Sequence, residues 1–116
     1  MTESASPADQ EESSESAELH EMASHACELL KAMSNEWRLM ILCHLSEGEK
    51  TVGELQNLLG LSQSAVSQHL AILRREKIVK PRKDAQLVNY SLAGDEAPKV
   101  MATLHDVFCG KAKSKD

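Results

Sequence analysis

The sequence predicts a mainly helical fold closed by one small β-hairpin, in the order helix-helix-helix-helix-strand-strand-helix. Apolar residues recur at helical spacing in successive segments between residues 17 and 76. Two short runs, Ile78 to Lys83 and Leu87 to Leu92, flank a turn at Asp84-Ala85-Gln86, and in the second Val88, Tyr90 and Leu92 alternate with Asn89 and Ser91. A last helical pattern, Val100, Met101, Leu104, Val107 and Phe108, begins near Asp95 and ends before Gly110.

Each element has a local reason. The first helix runs from about Ala17 to Met33, with Leu19, Met22, Ala26, Leu29, Leu30 and Met33 on its apolar side. Ser34 and Asn35 interrupt it and offer an N-cap to a second helix, about Glu36 to Ser46. That helix is apolar nearly all round, which predicts burial on several sides. Glu47 to Lys50 read as a loop. Thr51-Val52-Gly53-Glu54 is a capping box: the Thr51 hydroxyl accepts from the backbone while Glu54 reaches back. The third helix, Val52 to Leu59, stops at Gly60, a residue suited to a left-handed C′ position. Ser62 caps a fourth helix, Gln63 to about Glu76, with Ala65, Val66, Leu70, Ile72 and Leu73 facing inward. Pro81 confines the first strand to a sheet edge, and Pro98 is tolerated in the first turn of the last helix.

The 116 residues suffice for one small domain, and with 3% aromatics its core is built from Leu, Ile, Val, Met and Ala. Residues 1–16, rich in Ser, Glu, Ala and Pro, bury too little to offset their ordering entropy and are expected to form a disordered acidic tail. Residues 17–109 carry the fold, and 110–116 are expected to be a flexible tail. No apolar run approaches the ~18 residues of a membrane span. The first thirty residues hold no Lys or Arg, against a signal or transit peptide. Three widely spaced cysteines, with no C-x-x-C, argue against a disulfide scaffold, a zinc ribbon or a thiol oxidoreductase, and for a cytoplasmic, reduced setting. We expect no enzyme, no cofactor and no bound metal.

The net charge of −5 conceals a division. Residues 1–30 hold eight of the 18 acids and no base, so residues 31–116 carry 13 bases against ten acids, a net +3. Six bases crowd into residues 74–83: Arg74, Arg75, Lys77, Lys80, Arg82 and Lys83, with Glu76 the one acid. A basic patch of this kind is the electrostatic footprint of a nucleic-acid partner.

Two helices joined by Gly-Leu-Ser, the second polar at its start, form a helix-turn-helix, and the hairpin after it is a wing. The major groove of B-DNA accepts one α-helix and is read there by short polar side chains. Gln63, Ser64, Ser67, Gln68 and His69 are therefore the expected reading head, with Arg75, Arg82, Lys83 and Gln86 at the duplex backbone and wing. A solvated helix face beside a charged hairpin, or a wing used for protein contacts, is the plainer alternative. Helices one and five lie outside the helix-turn-helix and are the expected interface of a homodimer, whose twofold axis predicts an inverted-repeat operator in double-stranded DNA.

Cys43 lies in the second helix and Cys109 at the end of the last, beside Phe108. Two readings stand: small buried hydrophobes, or a dithiol joining a core helix to the dimer helix, whose bridging shifts the reading heads. His44 and His105 neighbour these thiols and either tune them or, less simply, complete a metal or metalloid site. Cys27 has no such context and reads as packing or an incidental thiol.

From about Leu30 to Cys109 the chain resembles the ArsR/SmtB superfamily of dimeric winged-helix repressors. The stretches that carry the likeness are LLKAMSNEWRLMILCHL, TVGELQNLLGLSQSAVSQHLAILRREKIV and VNYSL. The resemblance implies the order α1-α2-α3-α4-β-β-α5, with the first and last helices forming the dimer. The thiols of the arsenic and cadmium type are absent, since Glu54-Leu55-Gln56-Asn57-Leu58-Leu59 stands in their place. The zinc type is absent too, since Asp95-Glu96-Ala97 lacks its first His. The chain is most similar to the persulfide-sensing, SqrR/BigR/HlyU-like group, in having ILC at Cys43 and FC at Cys109. That likeness implies a reduced dimer that represses, and release when reactive sulfur species link Cys43 to Cys109 through a di- or polysulfide.

Overall fold

The computed structural model describes residues 14–110. The expected tails lie largely outside these residues. Helix α1 spans Ser14–Met33 and α2 Glu36–Leu45; a two-residue strand β1, Lys50–Thr51, leads into α3, Val52–Leu59. Helix α4 spans Gln63–Arg75, strands β2 and β3 span Val79–Asp84 and Leu87–Leu92, and α5 spans Glu96–His105. Helix α5 runs on into a π-helical turn, Asp106–Gly110. The order is the one the sequence predicts: five helices and a wing.

The predicted caps form. Asn35 Oδ1 accepts from the Arg38 N–H at 3.1 Å and starts α2. In α3 the box is reciprocal: the Glu54 N–H donates to Thr51 Oγ1 at 3.1 Å, and the Thr51 N–H donates to Glu54 Oε1 at 2.8 Å. Gly60 ends α3 at φ 71°, and Ser62 Oγ accepts from the Ala65 N–H to start α4. These few residues make the turn between α3 and α4.

Ile41, Leu42, Leu55, Val66, Leu70, Leu73, Ile78 and Val79 form the fully buried centre, drawn from α2, α3, α4 and the base of β2. At roughly 1.5–3 kcal/mol per buried aliphatic side chain, this cluster is the main stabilising term. Ala97 and Met101 fasten α5 to it, and Ala32 and Met33 the last turn of α1.

The structure departs from the sequence reading in three places. Lys50 and Thr51, expected partly as loop, pair antiparallel with Tyr90 and Asn89, so the wing is a three-stranded sheet of order β1-β3-β2. A strand of two residues is too short for any alternation to reveal it. Helix α2 is buried on one side only, through Ile41, Leu42 and Leu45; Trp37, Met40 and Cys43 are exposed. Helix α1 begins at Ser14 and leaves Leu19, Met22 and Leu30 in solvent. Pro81 does lie in the outer strand β2, as its missing N–H requires.

Candidate DNA interface and dithiol site

Helix α4 buries Val66, Leu70 and Leu73, and that periodicity turns Gln63, Ser64, Ser67 and Gln68 outward. These four residues form an exposed polar surface over the first two turns. His69 is less open than these four. It is half-buried, its Nδ1 is enclosed without a hydrogen-bond partner, and burial together with the nearby Arg38 charge pushes its pKa down. The Arg38 charge that acts on it belongs to α2.

The bases are distributed unequally. Arg75 is exposed but has the Glu76 carboxylate 3.6 Å away. Lys83 and Gln86 are exposed near the wing tip, where Ala85 takes φ 61° in the two-residue connection between Asp84 and Leu87. Arg82 is held. Its Nη2 donates to Glu49 Oε1 at 2.7 Å and its Nε to Glu49 Oε2 at 3.1 Å, a two-point fork across the sheet. Those hydrogen bonds, reinforced by the Arg82 and Lys80 charges, hold the Glu49 carboxyl below its ordinary range. Glu49 escaped the sequence reading because the contact joins residues 33 apart with no local signal.

The cysteines do not behave as packing residues. Cys27, Cys43 and Cys109 are all free and exposed. Cys43 lines a cleft of about 640 Å³ with Ser46 and Glu47 on one side and Met101, Ala102, Thr103, His105 and Asp106 on the other. The cleft therefore lies between the end of α2 and the end of α5. Desolvation pushes the Cys43 thiol up, and negative charge on Cys109 and Glu47 pushes it further. Cys109, in the turn after α5, is not among the residues that line this cleft. The π-helical turn that carries Cys109 also exposes Val107 and Phe108. His44 Nδ1 stands 4.0 Å from Glu47. Among the described residues no three His, Cys, Asp or Glu side chains converge as a metal site. Nor is any helix among them long and apolar enough to cross a membrane.

Comparison with known proteins agrees with this architecture. Residues 35–80 match the family described as "Bacterial regulatory protein, arsR family". The chain is 50% identical over 92 residues to the transcriptional activator HlyU of Vibrio cholerae, covering 79% of this chain and 85% of that one. It is 35% identical over 96 residues to a biofilm growth-associated repressor of Xylella fastidiosa, covering 83% and 84% of the two chains. The structure of reduced HlyU from Vibrio cholerae superposes with a TM-score of 0.77, over 79% of this chain and 97% of that one. A homodimeric winged helix-turn-helix DNA-binding domain from Mycobacterium bovis, 26% identical, superposes with a TM-score of 0.71 over 84% and 87%. The helix-turn-helix with its polar outer face, the sheet-backed wing and these likenesses converge: the chain belongs to the arsR family of DNA-binding winged-helix transcriptional regulators.

Proposed function

We propose that the chain is a homodimeric repressor that binds an inverted-repeat operator in its reduced state and leaves it when reactive sulfur species bridge Cys43 and Cys109. The observation that supports this reading is the cleft between the ends of α2 and α5, which Cys43 lines on one side and His105, four residues before Cys109, on the other. Two exposed thiols stand on different elements, α2 and the turn after α5, and the Cys43 thiol is pushed up by desolvation first and by negative charge on Cys109 second. Linking them couples a core helix to the helix proposed for the dimer. Exposed Leu19, Met22 and Leu30 on α1, with Val107 and Phe108 after α5, support a dimer face on these two elements. Gln63, Ser64, Ser67 and Gln68 then read bases, while Arg75, Arg82, Lys83 and Gln86 meet the backbone and wing contacts; His69 acts through the packing of α4. The relatives' names carry both signs of regulation, activator and repressor. A cytoplasmic location accords with the reduced thiols on which the switch depends.

The chemistry balances without a metal. A thiol takes the outer sulfur of a hydropersulfide, R–S–SH, giving Cys–S–SH and R–SH. The second thiol attacks the inner sulfur, closing Cys–S–S–Cys and expelling hydrogen sulfide; two persulfidated cysteines close instead to a trisulfide with the same loss of hydrogen sulfide. Intact-mass measurement with peptide mapping, after separate exposure to persulfide and peroxide, tests the proposal. Bridging of Cys43 to Cys109 by persulfide and not by peroxide is the expected result, with two hydrogens lost for the disulfide and one sulfur retained besides for the trisulfide. Equal bridging by both reagents makes the site a general thiol-oxidant sensor. Absence of any bridge defeats the dithiol reading and reopens metal or metalloid binding.

A further inference from the structure

We propose that Glu49 is a specificity-determining residue of the DNA interface, a built-in counterion that draws Arg82 back from the wing tip and keeps its charge out of non-specific duplex binding. The inference rests on the reading of the wing as a DNA contact.

Register fixes the geometry. Asn89 in β3 lies between Thr51 of β1 and Arg82 of β2, and Lys80 pairs with Ser91 two steps nearer the hairpin base. Glu49 precedes Lys50, the partner of Tyr90, so it too lies toward the base. Reaching Glu49, the Arg82 guanidinium crosses β3 and leans away from the Ala85–Gln86 tip. Both carboxylate oxygens are used, at 2.7 and 3.1 Å, which is the two-point arrangement that exposed ion pairs need to be worth holding. Among the described residues no carboxylate grips Lys83 in this way, and its charge stays available at the tip.

Affinity for any duplex grows with the number of phosphates a protein neutralises, because each contact releases condensed counterions. An arginine already neutralised by its own carboxylate contributes little to that count. It joins a DNA contact only where the fit is good enough to separate the pair, which a matched operator allows and a random sequence does not. Glu49 thereby lowers non-specific affinity more than specific affinity.

The test uses the full chain, kept reduced, in fluorescence anisotropy titrations across a series of potassium chloride concentrations. The probes are a labelled random-sequence duplex and a duplex selected from a random library by the unaltered protein. Glu49→Gln is expected to tighten random-sequence binding several-fold and to steepen its salt dependence by about one in log–log slope, with a smaller gain on the selected duplex. Arg82→Gln is expected to weaken binding, and the double variant to restore the original slope. An unchanged slope in Glu49→Gln, or weaker binding, overturns the proposal and leaves the pair a staple between β1 and the wing. Should Glu49→Gln melt early, comparing Arg82→Gln with Arg82→Lys decides instead: equal slopes for the two on random DNA overturn it. Failure of the unaltered chain to bind any duplex defeats the DNA reading itself, whereas binding with no effect of Glu49 defeats this inference alone.

Discussion

The Nε of Arg38 donates to the main-chain carbonyl of Ala32 at 2.6 Å, tying the start of α2 to the end of α1. A helix's last carbonyls have no intrahelical partner, so a cation from the next helix both satisfies one and complements the negative end of the dipole. Helix α1 buries only Ala32 and Met33, and this bond joins the packing of Leu29 and the 3.6 Å approach of His25 to Glu96 in orienting the helix. Arg38→Met is expected to cost about 1–2 kcal/mol, read as a lowered urea midpoint at unchanged m-value.

Ala85 holds a left-handed φ of 61° at the wing tip, a conformation that costs a residue with a Cβ roughly 1–2 kcal/mol. Ala85→Gly should relieve it and, after the added entropy of the unfolded chain, stabilise the domain by about 0.5 kcal/mol. A thermal melt that falls instead would show the turn to be unstrained.

His69 gives the stability curve a pH dependence of defined sign. Its pKa in the fold is lowered, by burial first and the Arg38 charge second, so the unfolded chain takes up a proton more readily. Stability is therefore full above the ordinary His range, about pH 6.5, and is lost as pH falls through that value toward the folded one. His69→Gln should flatten this limb in denaturation curves collected between neutral and mildly acidic pH.

Leu30→Glu in α1 and Phe108→Glu after α5 place charge on the exposed apolar surface of each element. Sedimentation should show monomers for both, with operator binding weakened because one half-site must then hold alone. A dimer persisting in both variants would put the interface elsewhere.

Cys43→Ser and Cys109→Ser should each leave duplex binding by the reduced protein within about twofold of the original and abolish its release by persulfide; such a ratio lies below about 0.5 kcal/mol. Cys27→Ser should change neither. Release that survives in both single variants removes the bridge from the mechanism.

Much of this was legible because it is local. The capping box at Thr51 and Glu54, the Gly60 turn and the Ser62 cap each lie within four residues, and the inward face of α4 repeats at helical spacing. The pairing of Cys43 with Cys109 rests on the family resemblance and stands as a proposal. What stayed hidden is long-range. The pairing of β1 with β3 and the grip of Glu49 on Arg82 depend on chain segments brought together only by folding. The half-burial of His69 depends on how close α2 comes to α4, which periodicity along α4 alone cannot give. Apolar residues at Leu19, Met22 and Leu30 announced burial that this one chain does not supply.

Trp37 is the chain's one tryptophan, and it stands half-open to solvent on α2, six residues before Cys43 on the same helix. At 1.5 Å rise per residue the two are about 9 Å apart along the axis. The protein thus carries its own fluorophore on the element that the thiol chemistry would disturb, with no second indole to dilute the signal. Its emission maximum and quenching offer a label-free, real-time trace of the reaction, fast enough to order the attack on sulfur against the loss of DNA.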